Sequence, residues 1–353
     1  MAAEFHTLSV ASVEPVTDKS VAVTFEIPTE LCDVFAHVPG QHVILKATIG
    51  GETIRRSYSI CFPVGAAGLT VGIKHLDGGA FSTYANCKLQ PGDVLEVTPP
   101  TGDFTIEPDP DDTNHYVAIA AGSGITPILS MITSVLAVEV LSRFTLVYGN
   151  RDGQSIMFLD ELDALKNRYP DRLVLIHILS RESHVIPLLQ GRLDEDKLSR
   201  LFSTVVDAGS ATDWYLCGPS GMVDAARSVL AAGGVDDGHI HHELFYAGGE
   251  GSVAIAEDDA AGSQVKFTLK GRTSTVIIDP QGSPILDHVL AVRPEGPYSC
   301  RSGACASCRA RVTTGEVTMD RNWALNQEEV DAGQILTCQA HPASDVVELT
   351  YDL

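Results

Sequence analysis

Eight cysteines are spread through 353 residues, and four of them fall into a pattern that chemistry can use. Cys300, Cys305 and Cys308 stand in Cys-x4-Cys-x2-Cys spacing, and Cys338 follows in Leu336-Thr-Cys-Gln. Thiolates so spaced on one tight loop, joined by a fourth from elsewhere, can hold two irons bridged by two sulfides. Such a loop must wrap the irons closely and turn backbone N–H groups toward the sulfurs. Gly303 admits the positive φ that a side chain resists, and Ser302, Ala304, Ala306 and Ser307 are small. The alternatives are a zinc site, which more usually shows paired Cys-x2-Cys knuckles where this chain has one, and a disulfide pair. Cys338-Gln-Ala-His341 matches half of a Rieske pattern, but no Cys-x-His partner occurs, so His341 is expected to be an ordinary surface histidine.

Two further constellations suit phosphate and aromatic ligands. In Arg56-Ser57-Tyr58-Ser59-Ile60 a strand's alternation points Arg56 and Tyr58 the same way, as a pyrophosphate contact beside an aromatic plate requires. Ser59 is then free to hydrogen-bond at a ring edge. The stretch Gly78-Gly79-Ala80-Phe81-Ser82-Thr83 opens a short helix running to about Cys87, with glycines and a serine cap that suit a diphosphate. An exposed arginine on a strand and a plain capped helix are the alternatives. Farther on, Gly122-Ser123-Gly124-Ile125-Thr126-Pro127 follows an apolar run, and Cys217-Gly218-Pro219 ends another. Cys217 is either a core thiol or part of a site at a strand end. In His239-Ile-His241-His242-Glu243, residues 239, 241 and 243 share a strand face, which makes a metal site conceivable.

These residues need elements to hold them. From Phe5 to Val97 short strands alternate with the turns Pro39-Gly40, Gly50-Gly51 and Pro91-Gly92, and an antiparallel barrel is the economical architecture. After Pro108-Asp-Pro-Asp-Asp112 the pattern changes. His115–Ala121, Phe144–Gly149, Leu173–Leu179 and Trp214–Cys217 read as buried parallel strands, with an amphipathic helix on Phe158, Leu162, Leu165 and Tyr169. Strand and helix in alternation predict a doubly wound α/β sheet that binds ligands at its carboxyl edge. Residues 247–263 are rich in Gly, Ala, Ser and acid, the composition of a tether. Val265–Leu269 and Ser274–Ile278 then read as a hairpin and Ile285–Ala291 as a helix, predicting a β-grasp (α+β) module. The expected multidomain layout is 1–110, 111–246, linker 247–263 and 264–353.

A formal charge of −22 argues against nucleic acid and anionic membrane as partners and is compatible with docking a basic protein. The N-terminus shows no secretion pattern, and the apolar stretch Ile125–Leu141 is broken by Pro127, Ser130, Thr133, Ser134 and Glu139. A buried helix and a cytoplasmic protein with reduced thiols are expected.

The segment 264–353 resembles the plant-type [2Fe–2S] ferredoxins, and the rest resembles the ferredoxin–NADP reductase superfamily. The order of all three parts is that of bacterial oxygenase reductases. This resemblance implies FAD held by Arg56 and by the helix start Gly79, Ala80, Phe81 and Ser82, with Tyr58 on the ring, Ser59 near N5, and Ile60 and Lys74 as further contacts. FMN-binding members usually lack that second helix. It implies Gly122 and Gly124 facing a nucleotide pyrophosphate, Thr126 between the two rings, Cys217 and Gly218 lining the nicotinamide slot, and Phe245 covering the flavin. Ser59, Cys217 and Glu243 are the implied catalytic group, Glu243 in proton transfer. Ser180-Arg181, with Arg151 as a second candidate, resembles the pair that selects NADPH over NADH. Cys300, Cys305, Cys308 and Cys338 would ligate the cluster. The phrasing of Tyr148-Gly-Asn-Arg151 and of Asn322–Glu329 resembles reductases serving di-iron multicomponent epoxidases of aromatic acyl-CoA thioesters. A reductase of a Rieske-type steroid or aromatic-ring hydroxylase using NADH shares the domain order, and a non-catalytic electron carrier or redox sensor is the alternative of another class. The chain itself has no Glu-x-x-His pairs, Rieske pattern or haem signature with which to activate oxygen.

Overall fold

The computed structural model describes residues 4–62, 68–245 and 262–353. Two compact units emerge, one built on the first two sheets and one on the third. The expected tether 247–263 lies outside the described residues except at Gly262 and Ser263, and Ser263 already belongs to a strand.

The first sheet contains β1 (His6–Thr17), β2 (Ser20–Glu26), β3 (His42–Ile49), β4 (Glu52–Ser59), β5 (Leu69–Lys74) and β6 (Val94–Val97), in the order β4-β3-β6-β1-β2-β5. The two end strands meet. Ile60, just past β4, bridges Val71 of β5, and the Cys61 N–H donates to the Thr70 carbonyl at 2.9 Å. Closure removes the open edges and makes the barrel that the alternating pattern predicts. Its interior holds Val23, Phe25, Val43, Leu45, Val71, Ile73 and Val97. Helix α1 (Ala80–Cys87) plugs it with Phe81 and Ala85.

The second sheet is wholly parallel, in the order β11-β10-β7-β8-β9. It runs through β7 (His115–Ala121), α2 (Ile125–Val138), β8 (Arg143–Asn150), α3 (Leu159–Arg168), β9 (Leu173–Leu179), α4 (Glu195–Thr204), β10 (Asp213–Gly218), α5 (Ser220–Ala232) and β11 (Ile240–Leu244). The first strand is central, so the winding reverses between β7 and β10, where a crevice opens at the carboxyl ends. Helix α2 buries Ile125, Ile128, Leu129, Ile132 and Leu136, each worth about 1.5–3 kcal/mol of apolar burial. It ends at Val138, short of the exposed Val140 and Leu141. Among the described residues no helix is long and apolar enough to cross a membrane.

The third sheet has the order β13-β12-β18-β14-β16. It comprises β12 (Ser263–Leu269), β13 (Arg272–Ile278), β14 (Arg309–Thr314), β16 (Gln334–Leu336) and β18 (Val346–Thr350), with β12 and β18 parallel. Helix α6 (Ile285–Val292) buries Ile285 and Val289 in its core, which gives the expected β-grasp. β15 (Val317–Met319) and β17 (Ala340–Pro342) form a small ribbon, and α7 (Gln327–Asp331) precedes β16.

The C-terminus of α2 shows a dependence that the sequence pattern hides. The Arg172 guanidinium donates to the carbonyls of Leu136 at 2.7 Å, Glu139 at 2.7 Å and Ser142 at 3.1 Å. A cation placed on the last carbonyls of a helix satisfies them and opposes the macrodipole. Arg172→Ala is expected to lower stability by roughly 2–4 kcal/mol, seen as an earlier urea transition by circular dichroism.

Candidate functional site

The turn Gly122–Gly124 leads from β7 into α2 at the point where the winding reverses. A Cβ on Gly124 would lie 2.1 Å from the carbonyl oxygen of Cys217, so only glycine lets this turn rest on the end of β10. Thr126 is buried there, its hydroxyl donating to the Ser123 carbonyl at 2.9 Å. The Tyr148 hydroxyl donates to the Gly122 carbonyl at 2.8 Å. Lys74 comes so near that a Cβ on Gly122 would sit 3.1 Å from its Nζ. Burial first, and then the like charge of Arg151, depress the Lys74 ammonium, with Asp152 opposing. Two cations held near a glycine turn at a strand end suit a phosphate-bearing ligand.

Arg151 and Arg181 follow neighbouring strands, and the structure joins them: the Arg181 N–H donates to the Arg151 carbonyl at 2.7 Å, and that of Ser180 to Asn150 at 2.9 Å. Both arginines are exposed. Glu182 turns away to accept the Gly153 N–H at 2.9 Å.

At the barrel, Tyr58 lies beside Phe81 with ring centroids 5.6 Å apart. Two expected contacts prove to be core: Ile60 and Phe81 have their side chains in the barrel interior, which leaves only their backbone for a ligand. Ser82 is not the cap of α1. Gly79 is the N-cap, without a side-chain capping bond. The Ser82 hydroxyl instead donates to the Gly79 carbonyl and accepts the Leu76 N–H, both at 3.1 Å. An N-terminus with no capping side chain fits an anionic ligand better than the expected serine cap would.

Ser59, Cys217 and Glu243 are brought together. Cys217 and Glu243 are register partners on β10 and β11. The Ser59 hydroxyl donates to Glu243 Oε2 at 3.3 Å, so it is not free as the sequence suggested. Burial raises Glu243 from 4.5 to about 7, with the Ser59 bond opposing. Burial also pushes the Cys217 thiol up, helped by Glu243. Phe245 packs beside this core, its N–H donating to the Gly218 carbonyl at 3.2 Å.

Sequence reasoning missed His42, whose Nδ1 lies 3.7 Å from Glu243 Oε1. No motif marks it, because its position is set by the approach of β3 to β11. The metal reading of residues 239, 241 and 243 does not hold, since His239 and His241 share Asp213 at 3.1 and 3.2 Å while Glu243 turns to Ser59.

In the unit built on the third sheet the four cysteines fall into two pairs. The free thiols of Cys300 and Cys305 neighbour one another, as do those of Cys308 and Cys338. The Cys300 N–H points to Cys305 Sγ and the Ser302 N–H to Cys300 Sγ, each at 3.4 Å. Arg301, Gly303 and Ala306 adopt positive φ to make this wrap. The Cys305 contact holds Cys300 down to about 5 against burial, while the same contact and burial raise Cys305. Among the described residues no three His, Cys, Asp or Glu side chains gather to hold a single ion. Two pairs of thiols fit the donor set of a binuclear cluster, which would take two on each iron. His341 is not at the surface as expected: only 14% of its side chain is exposed, and it pairs with Asp320 at 3.1 Å.

A closed barrel, a parallel sheet with a glycine turn at its switch point and a module with paired thiols define an NAD(P)H-dependent flavin and iron–sulfur oxidoreductase. Family models agree: "Oxidoreductase FAD-binding domain" matches residues 7–106, "Oxidoreductase NAD-binding domain" 118–228, and "2Fe-2S iron-sulfur cluster binding domain" 267–343. The chain is 39% identical to a component of the 1,2-phenylacetyl-CoA epoxidase of Escherichia coli (strain K12), covering 99% of this chain and 98% of that one. It is 34% identical to the ferredoxin reductase component of 3-ketosteroid-9-alpha-monooxygenase of Mycobacterium tuberculosis, covering 98% and 95%. In fold it matches phthalate dioxygenase reductase at a TM-score of 0.60 and 22% identity, over 98% of both chains. The chain therefore belongs to the oxygenase-reductase family of the ferredoxin–NADP reductase superfamily, with a C-terminal [2Fe–2S] domain.

Glu243 sets a pH dependence. A folded-state pKa raised from 4.5 to about 7 favours the fold fully below 4.5 and loses that contribution as pH rises through 7. Glu243→Gln should match the wild type near pH 4.5, gain on it by on the order of 3 kcal/mol as pH rises from 4.5 to about 7, and hold that lead above, read from melting temperatures across that window.

Proposed function

We propose that this protein takes hydride from NADPH and passes electrons singly to a separate di-iron epoxidase of an aromatic acyl-CoA. The observation that carries the reading is end-to-end similarity to a phenylacetyl-CoA epoxidase component, 39% over 98% of that chain. When bound, FAD accepts electrons in pairs and releases them singly to the cluster, which no nicotinamide does. Arg56 and the open start of α1 would hold the flavin diphosphate, with Tyr58 against the ring. Gly122, Gly124, Thr126 and Cys217 would shape the nucleotide slot, with Gly218 and Phe245 beside them. Ser59 and Glu243 would manage the proton at the flavin edge, and Cys300, Cys305, Cys308 and Cys338 would ligate the irons. The backbone bond of Arg181 to Arg151, which brings two exposed arginine positions to adjacent strand ends, supports a 2′-phosphate and hence NADPH. The reading places the protein in the reducing cytoplasm, where four thiols remain available as ligands. The 34% identity to a 3-ketosteroid monooxygenase component favours a steroid hydroxylase as the second reading of the partner.

Reduction of purified candidate oxygenase components by the protein and NADPH tests the partner. Electrons should reach a di-iron epoxidase, and reduction of a steroid hydroxylase instead would transfer the assignment. Arg181→Ala should weaken NADPH by at least about tenfold and leave NADH little changed, since a charge-assisted phosphate contact is worth about 1.5–3 kcal/mol. Equal losses in Kd would remove it from that role. In an anaerobic titration, Cys338→Ser should still bleach the flavin absorbance while the iron–sulfur signal is missing from the electron paramagnetic resonance spectrum.

A further inference from the structure

The barrel and the parallel sheet belong to one compact unit, and the outer wall of the first meets the glycine turn of the second along β5. Val71 and Ile73 lie in the barrel interior, so the alternation of a strand turns Gly72 and Lys74 outward. The face that brings Lys74 near Gly122 also brings Gly72 to Thr126. A Cβ on Gly72 would lie 2.7 Å from Thr126 Cγ2, and 3.1 and 3.2 Å from Cε2 and Cζ of the Phe158 ring. Its register partner on β2 is Ala22, which packs into the core of the nucleotide side. Two of the smallest residues thus leave a shallow seat in the wall, and Thr126 and Phe158 fill it. A glycine inside a strand commonly marks such a close approach.

The groups in the seat are held from behind. Phe158 is 1% exposed and adopts φ +58°, a left-handed backbone that bulky residues avoid. The Tyr148 hydroxyl lies 2.8 Å from the Gly122 carbonyl and 3.5 Å from that of Met157, so one buried group ties the nucleotide turn to the residue before Phe158. The Phe62 ring meets that of Phe158 edge-on, with centroids 6.0 Å apart. Farther along the seam Phe104 meets Tyr215 of β10 in the same way at 5.8 Å. Strain of the kind seen at Phe158 persists only where the surroundings over-determine it. The barrel side of the contact has no side chain to yield.

We propose that Gly72 is a positioning residue for hydride transfer, its bare backbone setting how closely Thr126, and with it the nucleotide slot, approaches the flavin held by the barrel. The proposal rests on the reading of Thr126 in that slot and adds the residue that sets its depth. In the step concerned NADPH loses its C4 hydrogen with the bonding electron pair and leaves as NADP⁺, and the oxidised flavin is the acceptor of both. Reacting atoms must stand about 3–3.5 Å apart for such a step. A methyl group at 72 needs a contact of about 3.5–4.0 Å with the Thr126 methyl, so the turn would retreat by roughly 1 Å. Misplacement of that size costs on the order of a hundredfold in rate.

The test uses Gly72→Ala, Thr126→Ser and the double variant as holoproteins. Gly72→Ala should slow flavin reduction by NADPH in stopped flow on the order of a hundredfold, leave NADP⁺ affinity little changed, and weaken the long-wavelength charge-transfer absorbance of NADP⁺ on the reduced flavin. Thr126→Ser removes the methyl that the new carbon meets, so the double variant should recover most of the loss when compared with Thr126→Ser alone. In the methyl-labelled wild-type holoprotein, the Thr126 methyl should show nuclear Overhauser contacts to the Gly72 α-protons and the Phe158 ring, and its shift should move when NADP⁺ binds. These spectra decide the matter even if Gly72→Ala does not fold. A wild-type rate and charge-transfer band in Gly72→Ala, equal losses in the two backgrounds, or no contact between Thr126 and Gly72 would overturn the proposal. A Thr126 methyl indifferent to NADP⁺ would sink the reading of the slot beneath it.

Discussion

A missing carbon atom governs the nucleotide half of this molecule. The parallel sheet places the carboxyl ends of β7 and β10 side by side, and the turn leaving β7 must pass over the end of β10 to start α2. It can do so only because Gly124 has no side chain to meet the Cys217 carbonyl. Once that contact forms, Thr126 is buried and Cys217 is fixed opposite Glu243. A larger residue at 124 would open the switch point and separate groups that come from three strands. The constraint is steric, and the chemistry of the crevice depends on it.

Electrostatics in the crevice follows from burial more than from charge pairing. Glu243 has a serine and a neutral histidine for company, and the loss of water raises its pKa. The cations lie apart, at the ends of β5, β8 and β9, where Lys74, Arg151 and Arg181 meet solvent or one another. Carboxyl and cations are thus segregated: Glu243 lies at a dry end, and the cations lie at the ends of other strands. An overall charge of −22 makes that local run of positive charge stand out for an anionic nucleotide.

Much of this was legible in residue order because it is written in local patterns. Period-two alternation and the Pro-Gly and Gly-Gly turns announced the barrel, and the apolar runs ending in Gly122 and Cys217 announced the parallel sheet. Cysteine spacing singled out the four thiols, while their division into pairs comes from the structure. Tertiary choices were not legible. Ser82 looked like a cap because serine usually caps, yet its hydroxyl reaches back to the Gly79 carbonyl and the backbone at Leu76. Ile60 and Phe81 sit within binding motifs but serve as barrel core. His42 and Arg172 carry no local signature, since the groups they meet lie far along the chain. The expected His239–Glu243 strand face is broken, because His239 lies in a short turn before β11, and Asp213 on the neighbouring strand takes both histidines.

The thiol pairs differ in span. Cys300 and Cys305 are five residues apart, whereas Cys308 and Cys338 join the loop to a distant part of the β-grasp. An iron held by the second pair would be a cross-link as well as a redox centre, tying down a loop whose Arg301 and Ala306 adopt positive φ. Filling the site would then also finish the fold of that loop. Loss of that iron would free the loop from the strand end at Cys338 and leave Arg301 and Ala306 to hold their positive φ without it.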